Sequence, residues 1–136
     1  MRQMKKTYLG GCHCGAVRFS CNIDLSAGTS RCNCSICAKT RFWKAIVKPD
    51  SFRLLDGEDA LADYQFGGRV IHHRFCRACG VKTFGSATIE QLGGLFYAVN
   101  IACLDASPEE LAQAPVTYED GLHNNWGEPP AETRHL

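Results

Sequence analysis

The chain has 136 residues, with 15 Lys and Arg against 14 Asp and Glu, for a formal charge of +1. At roughly 100–200 residues per domain this length leaves no room for a second domain, and 45% hydrophobic with 21% charged residues excludes wholesale disorder. The balanced charge gives no support to a polyanion-coating role, so no nucleic-acid partner is expected.

Taken in chain order, residues 1–11 carry Arg2, Lys5 and Lys6 with no apolar stretch behind them, which is not the pattern of a secretory leader. No apolar run approaches the ~18 residues of a spanning helix, so no membrane partner is expected. Val17, Phe19, Cys21 and Ile23 alternate with Arg18, Ser20 and Asn22, the period of a half-buried strand. Ser35–Thr40 fits one helical turn, and residues 42–47 are aromatic and β-branched enough for a strand. Ala62, Tyr64 and Phe66 alternate with Asp63 and Gln65, Gly67-Gly68 turns the chain, and a second strand over 69–75 completes a hairpin. Residues 94–102 read as a buried central strand. Ser107-Pro108-Glu109-Glu110 has a capping Ser, Pro at the first helical position and Glu at the third, predicting about two helical turns before Pro115. A polar and aromatic loop, His123 to Trp126, is of the kind that serves binding. The proline-rich residues 127–136 have little to bury and are expected to form a loosely ordered tail behind a single domain of residues 1–126. The sum is a mainly β domain with short helices.

Nine cysteines dominate the composition. An odd number cannot pair completely within one chain, so a reducing, cytoplasmic setting is expected, where thiols stay free or hold metal. Seven fall in three clusters: Gly11-Cys12-His13-Cys14-Gly15, Cys32-Asn33-Cys34-Ser35-Ile36-Cys37 and Phe75-Cys76-Arg77-Ala78-Cys79-Gly80. Structural zinc takes four thiolate or imidazole ligands in a tetrahedron. Cys12 and Cys14 with Cys76 and Cys79 make up such a set and would clamp the N-terminal strand to the hairpin. Cys32, Cys34 and Cys37 are then three soft ligands with an open fourth position, the pattern of a catalytic zinc that can exchange an external thiolate. Other readings of the same residues are reduced core thiols or disulfides, an iron–sulfur centre, or a closed structural zinc with Cys103 or His123 as fourth ligand to the trio. Cys21 and Cys103 lie in apolar stretches and read as core thiols. Of His72 and His73, consecutive in a strand, only one can face inward.

These three clusters, with the flanking Ala16-Val17-Arg18-Phe19 and Ala38-Lys39, resemble the glutathione-dependent formaldehyde-activating enzyme family, which includes centromere protein V, over about Tyr8 to Trp126. The resemblance implies a β-tent fold of small antiparallel sheets around a structural zinc. It implies two zinc ions per chain, one on Cys12, Cys14, Cys76 and Cys79 and a catalytic one on Cys32, Cys34 and Cys37. It also implies the activity of S-(hydroxymethyl)glutathione synthase, a carbon–sulfur lyase that joins the thiol of glutathione to formaldehyde. The basic residue common after the second cluster is Ala38 here, with Lys39 and Arg41 following. Lys39, Arg41 and His123 are the candidates for holding substrate carboxylates or the developing alkoxide. The alternative reading is a non-catalytic, zinc-stabilised binding module related to centromere protein V.

Overall fold

The computed structural model describes residues 5–136. In chain order its elements are β1 (Lys6–Gly11), β2 (Arg18–Ile23), β3 (Thr29–Cys32), α1 (Ser35–Thr40), β4 (Trp43–Val47), β5 (Phe52–Asp56), β6 (Leu61–Tyr64), β7 (Ile71–Cys76), β8 (Lys82–Ile89), β9 (Gly94–Asn100), α2 (Pro108–Ala112) and β10 (Val116–Glu119), joined in places by single 3-10 turns. The strands form two sheets, one ordered β1-β2-β5 and the other β10-β3-β4-β9-β8-β7-β6. The three-stranded sheet is antiparallel, as the sequence suggests. The second sheet is larger than expected, and its edge pair β10–β3 is parallel.

Local sequence accounts for the pieces that position the site. In β2, Phe19, Cys21 and Ile23 are buried and the residues between them are not. β1 lies against it with Gly10 opposite Phe19. A methyl group at Gly10 would meet the Phe19 ring at 2.7 Å and the Cys103 carbonyl oxygen at 2.8 Å, so the close approach requires glycine. Ser107 caps α2 by accepting from the Glu110 amide at 3.1 Å, and α1 occupies the expected Ser35–Thr40. The hairpin forms, but β6 stops at Tyr64. Phe66 instead belongs to the turn, where the Arg69 amide bonds the Phe66 carbonyl at 2.9 Å, and its ring folds back onto His73.

The core lies between the sheets. One cluster joins Tyr8, Phe19, Cys21 and Ile23 of the small sheet to Val47 and Val99 of the large one. The other joins Cys12 and Val17 to Leu61, Cys76 and Phe84. Phe52 connects them, stacked on Phe19 at 5.6 Å and on Tyr97 at 4.3 Å between ring centroids. Such offset aromatic contacts contribute about 0.5–1.5 kcal/mol each beyond the area they bury.

One expectation is corrected here. β9 is central in its sheet, paired with β4 on one edge and β8 on the other, but it is not buried throughout. Leu95 is 41% exposed, whereas Val99 is fully buried. The apolar run reflects a strand flanked on both edges, while only one of its faces is covered. Ile46 of β4, opposite Ala98 of β9, is 54% exposed on the uncovered face. Residues 127–136 carry neither strand nor α-helix; Arg134 pairs with Glu132 at 2.8 Å, and Leu136 is buried. Among the described residues, no helix is long and apolar enough to cross a membrane.

Candidate functional site

Cys12 and Cys14 follow the end of β1, and Cys76 and Cys79 occupy the turn between β7 and β8. Gly80 takes φ +80°, which lets the chain curl round the Cys76–Cys79 step, and its amide bonds the Cys76 carbonyl at 2.7 Å. The Val17 amide donates to the Cys12 sulfur at 3.3 Å. The four Sγ atoms all lie within 4.8 Å of one another. Cys12 and Cys14, and Cys14 and Cys76, are 3.7 Å apart.

That spacing identifies the chemistry the quartet suits. A disulfide would bring two sulfurs to about 2.05 Å, and all nine cysteines are free. Four sulfurs placed about 2.3 Å from a tetrahedral zinc would lie about 3.8 Å from each other. The quartet therefore fits zinc and could bind one ion. Its electrostatics agree: the amides of Val81 and Cys14 point at the Cys79 sulfur and hold its pKa down to about 6, so it is a thiolate at neutral pH. The quartet also bridges the two sheets, from the end of β1 to the β7–β8 turn.

Cys32 ends β3, Cys34 caps α1 and Cys37 lies within it. The Cys34 amide donates to the Cys32 sulfur at 3.4 Å. The three thiols act on one another. Hydrogen bonds from Cys32 and Cys37, helped by the Cys37 and Ile36 amides, hold Cys34 far below the ordinary thiol range. Cys37 is pushed far above it by Cys32 and then Cys34. One thiolate is thus shared among three sulfurs. The trio does not close into a group as compact as the quartet among the described residues.

The loop after β10 packs onto this trio. Asn33 donates to Asp120 Oδ1 at 2.8 Å and accepts from the Leu122 amide at 3.0 Å, so one side chain ties the loop at two points. Gly121 faces both the Cys32 sulfur and the Trp126 ring. His123 points away: its side chain is 71% exposed and its Nδ1 lies 2.9 Å from Asp120 Oδ1. Lys39 and Arg41 are exposed at the end of α1. Cys103 donates to the Lys82 carbonyl at 3.6 Å, and it does not join the trio in a compact group. Burial pushes both core-type thiols, Cys21 and Cys103, up to about 11.

Two basic residues missed by sequence reading lie on the uncovered face of the large sheet or beside it. Lys44 of β4 pairs with Glu119 at 2.6 Å and donates to Ser30 at 2.9 Å. Lys82, at the start of β8, extends its Nζ to His73 Nδ1 at 2.8 Å and over the Phe42 ring, 3.8 Å from its centroid. Burial lowers the Lys82 pKa, and the charges of Cys37 and Cys34 act in the opposite direction. His73 is the inward member of its pair: only 7% is exposed, and burial, then the Lys82 charge, lower its pKa to about 4. His72 instead meets Asp63 at 2.6 Å. Neither Lys82 nor His73 stands in a motif; only the β7–β8 register brings them together.

The chain was compared with known proteins. The family model for glutathione-dependent formaldehyde-activating enzyme matches residues 7–120. Among solved structures, the crystal structure of a Rhodobacter sphaeroides protein is similar, with 34% sequence identity and a TM-score of 0.67 over 80% of this chain and 99% of that one.

Proposed function

The chain belongs to the glutathione-dependent formaldehyde-activating enzyme family, and on that premise we propose that it adds a small thiol, glutathione or a relative of it, to a small aldehyde such as formaldehyde. The reaction is that of a carbon–sulfur lyase in its formal direction. The observation that supports this reading best is the mutual influence of Cys32, Cys34 and Cys37, which keeps a thiolate shared among three sulfurs next to a docked loop.

In this reading the chain holds two zinc ions, a structural one on Cys12, Cys14, Cys76 and Cys79 and a second on Cys32, Cys34 and Cys37. Bound by three thiolates, zinc supplies an open position that favours the thiolate form of an incoming thiol. The chain's own residues do the rest. Cys32, Cys34 and Cys37 set the anionic charge of the site. Asn33 holds the loop from Asp120 to Trp126 against Cys32 and limits the water reaching it. Lys39, Arg41 and His123 are exposed and free to hold the carboxylates of a peptide-like thiol. As the thiol sulfur forms its bond to the carbonyl carbon, the C=O electron pair moves to oxygen, which takes the proton that the thiol gave up. Holding both reactants in place lowers the entropic part of the barrier. The reading also places the protein in the cytoplasm, with a small-molecule thiol as its partner.

The test is a turnover assay with formaldehyde and a panel of thiols including glutathione, on the wild-type protein and Cys34→Ser. The wild type accelerates adduct formation. The variant stays folded and loses about a hundredfold or more, the size expected for a positioned catalytic group. A folded Cys34→Ser protein with unaltered turnover contradicts the reading, and it would favour a binding module instead.

A further inference from the structure

Lys82 is a poor structural cation. Its Nζ has no carboxylate within ion-pair distance among the described residues. One side is walled by the Phe42 ring at 3.8 Å, itself buried. The other side meets His73 Nδ1 at 2.8 Å. Holding a lysine here without an anionic partner costs stability, and the arrangement does not recur at Lys44, which has Glu119.

His73 explains the geometry. The amino group donates to Nδ1, so the ring carries its own hydrogen on Nε2, and that atom is buried without a partner. Phe66 stacks on the ring at 5.6 Å and Tyr64 lies at 6.3 Å. The imidazole is therefore locked as a neutral acceptor. It fixes one N–H of Lys82 and leaves the nitrogen lone pair directed elsewhere. The groups that act on Lys82 from the elements around it are Cys34 and Cys37 at α1, His73 on β7 and Lys44 on β4.

We propose that Lys82 is a covalent aldehyde site: its amine captures the carbonyl substrate reversibly as an imine beside the Cys32–Cys37 cluster. This deepens the thiol–aldehyde reading and rests on it for the choice of substrate class. The Lys82 nitrogen lone pair forms the N–C bond as the C=O pair moves to oxygen. One amine proton passes to that oxygen, giving a carbinolamine. The C–O bond then breaks, the oxygen leaves as water with a second proton from nitrogen, and the lone pair closes the C=N bond. The sum is a condensation that releases one water, with nothing oxidised or reduced; hydration reverses it. Burial favours the free amine this step needs, as in other Schiff-base lysines. His73 is a positioning residue, aiming the amine without touching the aldehyde.

The test traps the imine. The full-length, zinc-loaded protein is pulsed at neutral pH with isotopically labelled formaldehyde and cyanoborohydride, which converts each imine to an N-methyl group, and the modified lysines are mapped by mass spectrometry. Lys82 is expected to be labelled about tenfold or more faster than the exposed Lys39 and Lys48, since each unit by which a pKa falls raises the free amine tenfold. Lys82→Arg removes that label and leaves the others unchanged, and His73→Gln slows it. Labelling of Lys82 no faster than of the exposed lysines overturns the proposal. Turnover of thiol and aldehyde without preferential labelling also overturns it while the reaction reading stands. Preferential labelling in a protein that turns over no thiol sustains the aldehyde site and overturns the reaction reading.

Discussion

A methyl group at position 121 would meet the Cys32 sulfur at 2.6 Å and the Trp126 ring at 2.5 Å. Gly121→Ala must therefore push the loop off the thiol cluster. The expected result is a folded protein whose Trp126 fluorescence shifts and whose loop is cut faster by protease; unchanged fluorescence and cleavage would show that the loop can absorb the methyl. At the same scale, His73 gives a pH signature. Its folded pKa of about 4 lies below the ordinary 6.5, so between these values the unfolded chain binds a proton that the native protein refuses. Stability falls as pH drops from about 6.5 toward 4, then levels off. The expected size is about 1–2 kcal/mol once screening is allowed for. Urea unfolding across this range should show His73→Gln flattening the dependence. These residue-scale features were the least legible in the sequence. His72 and His73 present the same letter, and only the cross-strand partner tells them apart. Lys82 follows Cys79 without any motif to mark it, and its neighbours Phe42 and His73 are far from it in sequence.

At the scale of elements, Phe52 ties the small sheet to the large one through Phe19 and Tyr97. Phe52→Ala should cost about 3–5 kcal/mol, read by chemical denaturation, because both stacks are lost and a cavity is left. A loss below about 1 kcal/mol would show that the two sheets do not depend on this contact. The elements themselves were legible where periodicity and capping carry the information. Phe19-Cys21-Ile23 in β2, the Ser107 cap of α2 and the glycine turn between β6 and β7 stand where the pattern predicts. β3, β5, β8 and β10 are not marked individually. They are short, or, like β8 with Gly85 and Ala87, they present small residues on the uncovered face and break the alternation. The apolar run of β9 overstated burial for a related reason: pairing on both edges favours apolar residues even where one face is open. The parallel β10–β3 edge joins strands far apart in the chain, and local pattern carries no trace of such a pairing.

Over the whole molecule, the organising feature is the cysteine pattern, and it was legible because metal ligation imposes spacing on the sequence itself. The quartet joins β1 to the β7–β8 turn across two sheets. For a chain of this size, zinc binding there is folding free energy. The measurement that tests the account most directly is zinc per chain, together with thermal unfolding, in the wild type, Cys76→Ser and Cys34→Ser. The account predicts two zinc ions in the wild type, one in a Cys34→Ser protein that still melts cooperatively, and a large loss of stability in Cys76→Ser. Full metal in Cys34→Ser, or a Cys76→Ser protein as stable as the wild type, would contradict it.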